Sequence, residues 1–303
     1  MKKSFILVFI ALSLSLTAQI NYADYYFLLN QAVDAKQKNN FEDYNKYLIK
    51  AYDVLPRNQK EKAISTHYTA LVKMYAKQDP SLQKATDFIK NNKIVAYNSS
   101  LEYDFKNIPK LLELLKEYDA VISPEKYYIK NHEKLSAILD TLNAIDQYVR
   151  KNKGIDSTKV KEEFKSMNHD EISHYNITKL KELWKEFGLF GPMDCYYCDI
   201  SLLLIHLDNT EMALEIEPTL KELVKLGKLE PNAFAWAFDR AYNTEKGTFI
   251  YYFSLNPAWN TSNYTPVNEL SDEQKAEINA ARKEIGIPPL PYSFTFISSW
   301  LNN

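Results

Sequence analysis

The chain has 303 residues, of which 46% are hydrophobic and 25% are charged, the usual composition of a folded globular protein rather than a disordered one. Its formal net charge is −2 at pH 7, whereas a protein that binds nucleic acid mainly through phosphate contacts is clearly basic. We therefore predict no nucleic-acid partner. Only 6 residues are glycine, which disfavours folds built from many tight hairpins.

Residues 1–19 have the three parts of a secretory signal peptide. Two lysines follow the first methionine, an apolar stretch runs from Phe5 to Leu16, and the small residue Ala18 lies just beyond it. The apolar stretch is too short to span a bilayer, so we expect no stable membrane anchor after cleavage. The sequence predicts a secreted or periplasmic bacterial protein.

Residues 22–120 are predicted to form helical hairpins. Within 22–56, apolar residues recur at helical spacing on both sides of a turn at Asn39-Asn40. The second helix carries the small residue Ala51 and is followed by Pro56, a pattern that resembles a tetratricopeptide repeat. The same spacing also allows an irregular helical bundle, and both interpretations stay open.

Residues 124–303 are predicted to form a helical domain. Capping and proline signals with apolar stripes predict helices at 124–151, 159–167, 176–187, 195–207, 211–226, 231–242 and 271–284. Near 248–254 the residues become β-branched and aromatic, which favours a small β element. The predicted fold class is therefore mainly α, with a tetratricopeptide-like N-terminal region and a helical C-terminal domain.

Scattered polar residues between 133 and 293 form a recognisable pattern: Asp146-Gln147, Arg150, Asn176, His206-Leu207-Asp208, Asp239-Arg240 and Arg282. The pattern resembles a bacterial domain-of-unknown-function family, number 6624. The resemblance implies a fold and a set of residues but no activity. The segment 249–254 departs from the family's Gln-x-Tyr-Gly-Thr-Gln, so any chemical site of the family is expected to be degenerate here.

Arginine is rare in this chain, and the only four among 37 basic residues are Arg57, Arg150, Arg240 and Arg282. Where lysine is the usual cation, arginine indicates a need for its planar set of donors. In one interpretation the last three form a shared anion or carboxylate clamp. In the other they are structural and pair with buried aspartates, namely Asp146, Asp208 and Asp239.

The candidate site residues fall into two groups. The catalytic candidates are His206, Asp208 and Asp239, with His206 as the proton-transfer group because imidazole titrates near neutral pH. The binding candidates are Asp146, Arg150, Asn176, Arg240 and Arg282. The alternative for His206, which follows an apolar run, is a core histidine hydrogen-bonded to an aspartate or to the backbone.

Cys195 and Cys198 are the only cysteines. In an exported protein this pair is a disulfide candidate, with free buried thiols and a redox or metal role as alternatives. No glycine-rich phosphate loop, H-E-x-x-H, G-x-S-x-G or calcium-loop pattern occurs in the sequence. We therefore predict no cofactor and no metal site.

Two functions follow from these patterns. The first is an exported helical protein that binds a protein or peptide partner through its N-terminal hairpins. The second is an envelope-located, hydrolase-type enzyme, with an intact or degenerate site, that uses a polar cluster of histidine, aspartate and arginine. The sequence leaves open whether the protein is an enzyme.

Overall fold

A computed structural model of the chain describes residues 22–55, 65–92, 105–121, 132–150, 160–192, 200–207, 209–246, 252 and 267–290. These residues form twelve α-helices and one 3-10 turn, and no strand occurs among them. The predicted mainly helical fold is confirmed. The predicted signal peptide, Cys195, Cys198, Asp208 and all of 248–254 except Tyr252 lie outside the described residues.

In chain order the α-helices are α1 (Tyr22–Gln37), α2 (Phe41–Val54), α3 (Ser65–Gln78), α4 (Gln83–Asn92), α5 (Pro109–Val121), α6 (His132–Val149), α7 (Glu162–Lys165), α8 (His169–Phe187), α9 (Ser201–Ile205), α10 (Thr210–Lys225), α11 (Pro231–Lys246) and α12 (Asp272–Glu284). The 3-10 turn, Val267–Glu269, precedes α12. Among the described residues, no helix is long and apolar enough to cross a membrane.

The N-terminal helices pack in chain order. Helices α1 and α2 form the predicted hairpin, with Asn39 in the left-handed region at φ 57°, a conformation that asparagine tolerates. The Asn40 side chain then caps α2 by accepting a hydrogen bond from the Asp43 backbone N–H. Helix α3 packs against α2, α4 against α3, and α5 against α4. This consecutive packing buries the apolar stripe of each helix against its neighbour.

Helix α1 also packs against the C-terminal half of the chain. It contacts α10 and α12, and the Asn30 amide donates to the Gly286 carbonyl at 3.1 Å. Gly286 has φ 80°, and a Cβ added there would lie 2.2 Å from the Ala23 carbonyl oxygen, so this contact requires glycine. One hydrophobic core includes residues from Tyr22 to Ile287. This core contains residues from both sides of the predicted domain boundary between 22–120 and 124–303, and the division into two domains stays a prediction.

The C-terminal half is organised around α6 and α8. These helices are antiparallel, because Lys134 pairs with Glu186 at one end and Arg150 contacts Ser173 at the other. Helix α9 packs against α6, α8 and α11. The short helix therefore lies where three longer helices meet.

Several predicted helices in this half have the wrong boundaries. The helix predicted at 159–167 spans only the four residues of α7, and the helix predicted at 231–242 continues to Lys246. The helix predicted at 176–187 begins at His169, because Asn168 and Glu171 form a capping box. The helix predicted at 195–207 is confined, within the described residues, to the five residues of α9. The helix ends there because the His206 carbonyl does not continue the helical hydrogen-bond pattern. That carbonyl accepts hydrogen bonds instead from Ser173 of α8 and from Arg150, which follows α6.

A buried histidine lies in the N-terminal core. His67 on α3 is 0% exposed, and its Nε2 lies 2.9 Å from the Leu48 carbonyl oxygen. Since a carbonyl only accepts, Nε2 carries the proton, and Nδ1 accepts from the Tyr25 hydroxyl at 3.0 Å. Burial lowers the pKa of His67 to about 4, although the Leu48 hydrogen bond opposes the shift. The sequence analysis did not identify this residue.

We expect His67 to make the protein acid-sensitive. In the unfolded chain the pKa of His67 is about 6.5. Below that pH the unfolded chain binds a proton at His67, whereas in the folded protein His67 stays neutral until the pH approaches 4. The free energy of unfolding should fall by about 1.4 kcal/mol per pH unit between about 6.5 and 4, a total of about 3 kcal/mol. Urea unfolding at several pH values should show this loss, and His67→Gln should remove it. An identical pH dependence in both proteins would contradict the assignment.

Candidate functional site

A polar cluster joins α6, α8 and the end of α9. It consists of Asp146, Gln147, Arg150, Ser173 and His206, hereafter the Asp146 cluster. Asp146 is buried near the end of α6 and Arg150 follows that helix, four residues later. Ser173 lies in the second turn of α8, and His206 ends α9. Residues 60 positions apart in the chain thus meet through the packing of α9 against α6.

The Asp146 carboxylate is fully engaged. Its Oδ2 accepts from His206 Nδ1 at 2.5 Å and from Gln147 Nε2 at 3.0 Å. Its Oδ1 accepts from Arg150 Nε at 3.2 Å. The side chain is only 1% exposed, and a carboxylate buried to this degree needs such partners.

These contacts favour the ionised form of Asp146. Burial alone would raise its pKa, but the hydrogen bond and charge of His206, together with the charge of Arg150, outweigh burial and hold the pKa below its usual value. A carboxylate can only accept, so His206 Nδ1 carries the proton. Whenever the ring is neutral, its lone pair is therefore on Nε2.

The main chain of His206 is held as firmly as its ring. Arg150 Nη2 donates to the His206 carbonyl oxygen at 3.2 Å and to Ser173 Oγ at 3.2 Å. Ser173 Oγ donates to the same carbonyl at 3.0 Å. Arg150 therefore reaches both Asp146 and the backbone of His206, and its side chain is only 11% exposed.

His206 Nε2 has a different environment from Nδ1. The His206 side chain is 14% exposed. Within the part of the chain that the structure describes, Nε2 makes no hydrogen bond, and it is not among the buried atoms that lack one. The cluster therefore fixes the imidazole through Nδ1, and Nε2 is not fully buried.

Asn176 lies beside this cluster. It follows Ser173 by three residues on α8, and the antiparallel register places it level with Asp146. It is 2% exposed, and within the described residues neither atom of its amide has a hydrogen-bond partner. Because buried polar groups are nearly always hydrogen-bonded, Asn176 is kept at this position at a cost in stability.

A second polar group joins α11 and α12. Asp239 on α11 and Arg282 on α12 are both 0% exposed. Asp239 Oδ1 accepts from the Tyr252 backbone N–H at 3.0 Å. Arg282 donates to the Tyr252 carbonyl at 3.1 Å and to the Pro288 carbonyl at 2.7 Å. Both buried side chains thus bind the same residue of the connection between the helices.

The three arginines of the predicted clamp have different described partners. Arg150 belongs to the Asp146 cluster, and Arg282 binds backbone carbonyls in the second polar group. The guanidinium carbon of Arg240 lies 5.8 Å from the centroid of the Trp236 ring. The structure therefore brings Asp146, Arg150 and His206 together and places Asp239 with Tyr252. Asp208 lies outside the described residues.

Sequence analysis missed the role of Ser173. The available signal was the spacing of Ser173 and Asn176, which puts two polar side chains on one face of a helix that is otherwise apolar there. Among the described residues, no three histidine, cysteine or acidic side chains are grouped as a metal site would require.

Comparison with known proteins returned no relative of this chain. No protein-family model, no curated protein and no solved structure matches it. The resemblance to domain-of-unknown-function family 6624 stays a prediction.

Proposed function

We propose that this is an exported helical protein that binds a protein or peptide partner through its N-terminal, tetratricopeptide-like hairpins. The consecutive packing of α1 to α5 supports this proposal, since stacked hairpins present a continuous surface. The observation that carries it is the exposure of large apolar side chains on α2. Phe41, at the start of α2, is 53% exposed, as expected for a residue that a partner covers, whereas Val54, 45% exposed, lies at the other end of the helix.

Lysine side chains lie near the exposed Phe41 ring and the neighbouring Tyr44 ring. Lys77 Nζ lies 5.7 Å from the centroid of the Phe41 ring, and Lys36 Nζ lies 5.5 Å from that of Tyr44. Burial and the nearby charge of Lys73 lower the pKa of Lys36. Like charges held close together are relieved by an anion. The Phe41 face, made of Phe41, Tyr44 and these three lysines, therefore suits an acidic peptide segment with an apolar side chain.

Peptide binding tests this proposal. A fluorescein-labelled peptide of sequence Glu-Asp-Phe-Asp-Glu-Leu should bind the mature protein, and fluorescence anisotropy should show at least a roughly tenfold weaker Kd for Phe41→Ser. Leu214→Ser is the matched control, because Leu214 is 43% exposed on α10 and should not matter. A second peptide with lysines in place of the acidic residues should bind weakly. Equal affinity of the acidic peptide for both variants would contradict the proposal.

A further inference from the structure

We propose that His206 is the proton acceptor of a hydrolytic site, with Asp146 as the residue that positions its ring. The geometry points to water as the nucleophile, and small acyl esters are the substrate class that we propose to test. This activity is separate from partner binding at the Phe41 face, and neither proposal depends on the other.

The orientation of the His206 imidazole suits it to accept a proton at Nε2. The Asp146 carboxylate fixes the tautomer by accepting from Nδ1 at 2.5 Å, so the lone pair lies on Nε2. Nε2 has no hydrogen-bond partner within the described part of the chain and is not fully buried. A neutral imidazole held by a carboxylate, with its other nitrogen accessible, is the arrangement that accepts a proton in general-base catalysis.

Contacts from three side chains hold His206 in place. Asp146 fixes the ring of His206, while Arg150 and Ser173 both donate to its carbonyl oxygen. Gln147 donates to the same oxygen of the Asp146 carboxylate as His206 does. A histidine that only ended α9 would need the carbonyl contacts but not a buried carboxylate at Nδ1, whose desolvation is costly. A function of Nε2 that depends on its direction explains the hydrogen bond between Asp146 and His206 Nδ1.

The identity of the nucleophile follows from Ser173. In a serine triad the hydroxyl donates to the second nitrogen of the histidine, but here Ser173 Oγ donates to the His206 backbone. Ser173 is therefore not placed as a nucleophile. His206 would therefore act on a water molecule.

The step balances with water and an ester as the only reactants. Nε2 takes a proton from water as the water oxygen bonds to the ester carbonyl carbon, and Asp146 stabilises the resulting imidazolium. The tetrahedral intermediate breaks its bond to the alcohol oxygen, and Nε2 returns the proton to that oxygen. The products are a carboxylic acid and an alcohol, and His206 is neutral again.

Hydrolysis of p-nitrophenyl acetate by the mature protein tests the proposal. We expect His206→Gln to lower the rate roughly 10²-fold, and His174→Gln, a change at an exposed histidine on α8, to leave it unchanged. Added imidazole should restore activity to His206→Gly. Equal rates for the wild type and His206→Gln would overturn the proposal.

A second measurement needs no variant and is unaffected by misfolding. Diethyl pyrocarbonate modifies neutral imidazole nitrogens, and mass spectrometry locates the modified residues. We expect His206 in the wild type to react faster than His174, despite its lower exposure, because the Asp146 contact holds the ring with its lone pair on Nε2. Slower reaction at His206 than at His174 would show a buried structural histidine and overturn the proposal.

Discussion

Arg282→Ala is expected to destabilise the protein by about 3–5 kcal/mol. Arg282 is 0% exposed and donates to the carbonyls of Tyr252 and Pro288. Its removal leaves two carbonyls without these donors and a cavity the size of the largest fully buried side chain in the described structure. Urea unfolding of the purified variant measures the change.

Two further variants give this measurement its controls. Lys283→Ala changes the exposed neighbour on the same helix and should alter the free energy of unfolding by no more than about 0.5 kcal/mol. Arg282→Lys keeps the charge and one donor but loses the planar geometry, so its stability should lie between those of the wild type and Arg282→Ala. If Arg282→Ala were as stable as Lys283→Ala, the buried role of Arg282 would be wrong.

Asp146→Ala should cost a similar amount, about 3–5 kcal/mol, because it removes the common partner of two largely buried cationic or polar side chains. Arg150 and His206 would then lack the carboxylate that accepts their hydrogen bonds. The contacts between α6 and α9 should then loosen, which hydrogen exchange at the α9 amides can detect. Asp140→Ala, an exposed change on the same helix, is the matched control.

The stabilising contribution of Asp146 also has a definite pH dependence. Its pKa is lower in the folded protein than in the unfolded chain, so the contribution is complete above the unfolded pKa of about 3.9. It is lost as the pH falls through the lower folded value. The stability difference between wild type and Asp146→Ala should therefore persist at pH 5 and shrink at more acidic pH. A difference that vanished already at pH 6 would contradict this assignment.

Local signals in the sequence predicted much of the fold. The helix predicted at 271–284 is observed as α12, because Ser271 and Gln274 form a capping box that can be read from four consecutive residues. The start of α8 was missed because its first turn, from His169, is polar and carries no apolar stripe. The end of α9 depends on side chains from α8 and from the end of α6, which no local pattern contains.

The same distinction applies to the Asp146 cluster. The pairing of Asp146 with Arg150 could be predicted, because residues four apart share a helical face. The pairing of Asp146 with His206 crosses 60 residues and depends on how α9 packs against α6. Sequence analysis grouped His206 with Asp208 and Asp239 instead, since proximity in the chain and the family resemblance were the only guides.

The proton positions of two histidines test the central claim most directly, which is that long-range packing fixes the tautomer of each ring. Side-chain ¹⁵N NMR at pH 8 distinguishes the two neutral tautomers of imidazole. The structure predicts that His67 carries its proton on Nε2 and that His206 carries its proton on Nδ1. A His206 ring protonated on Nε2, or averaging between tautomers, would contradict the claim.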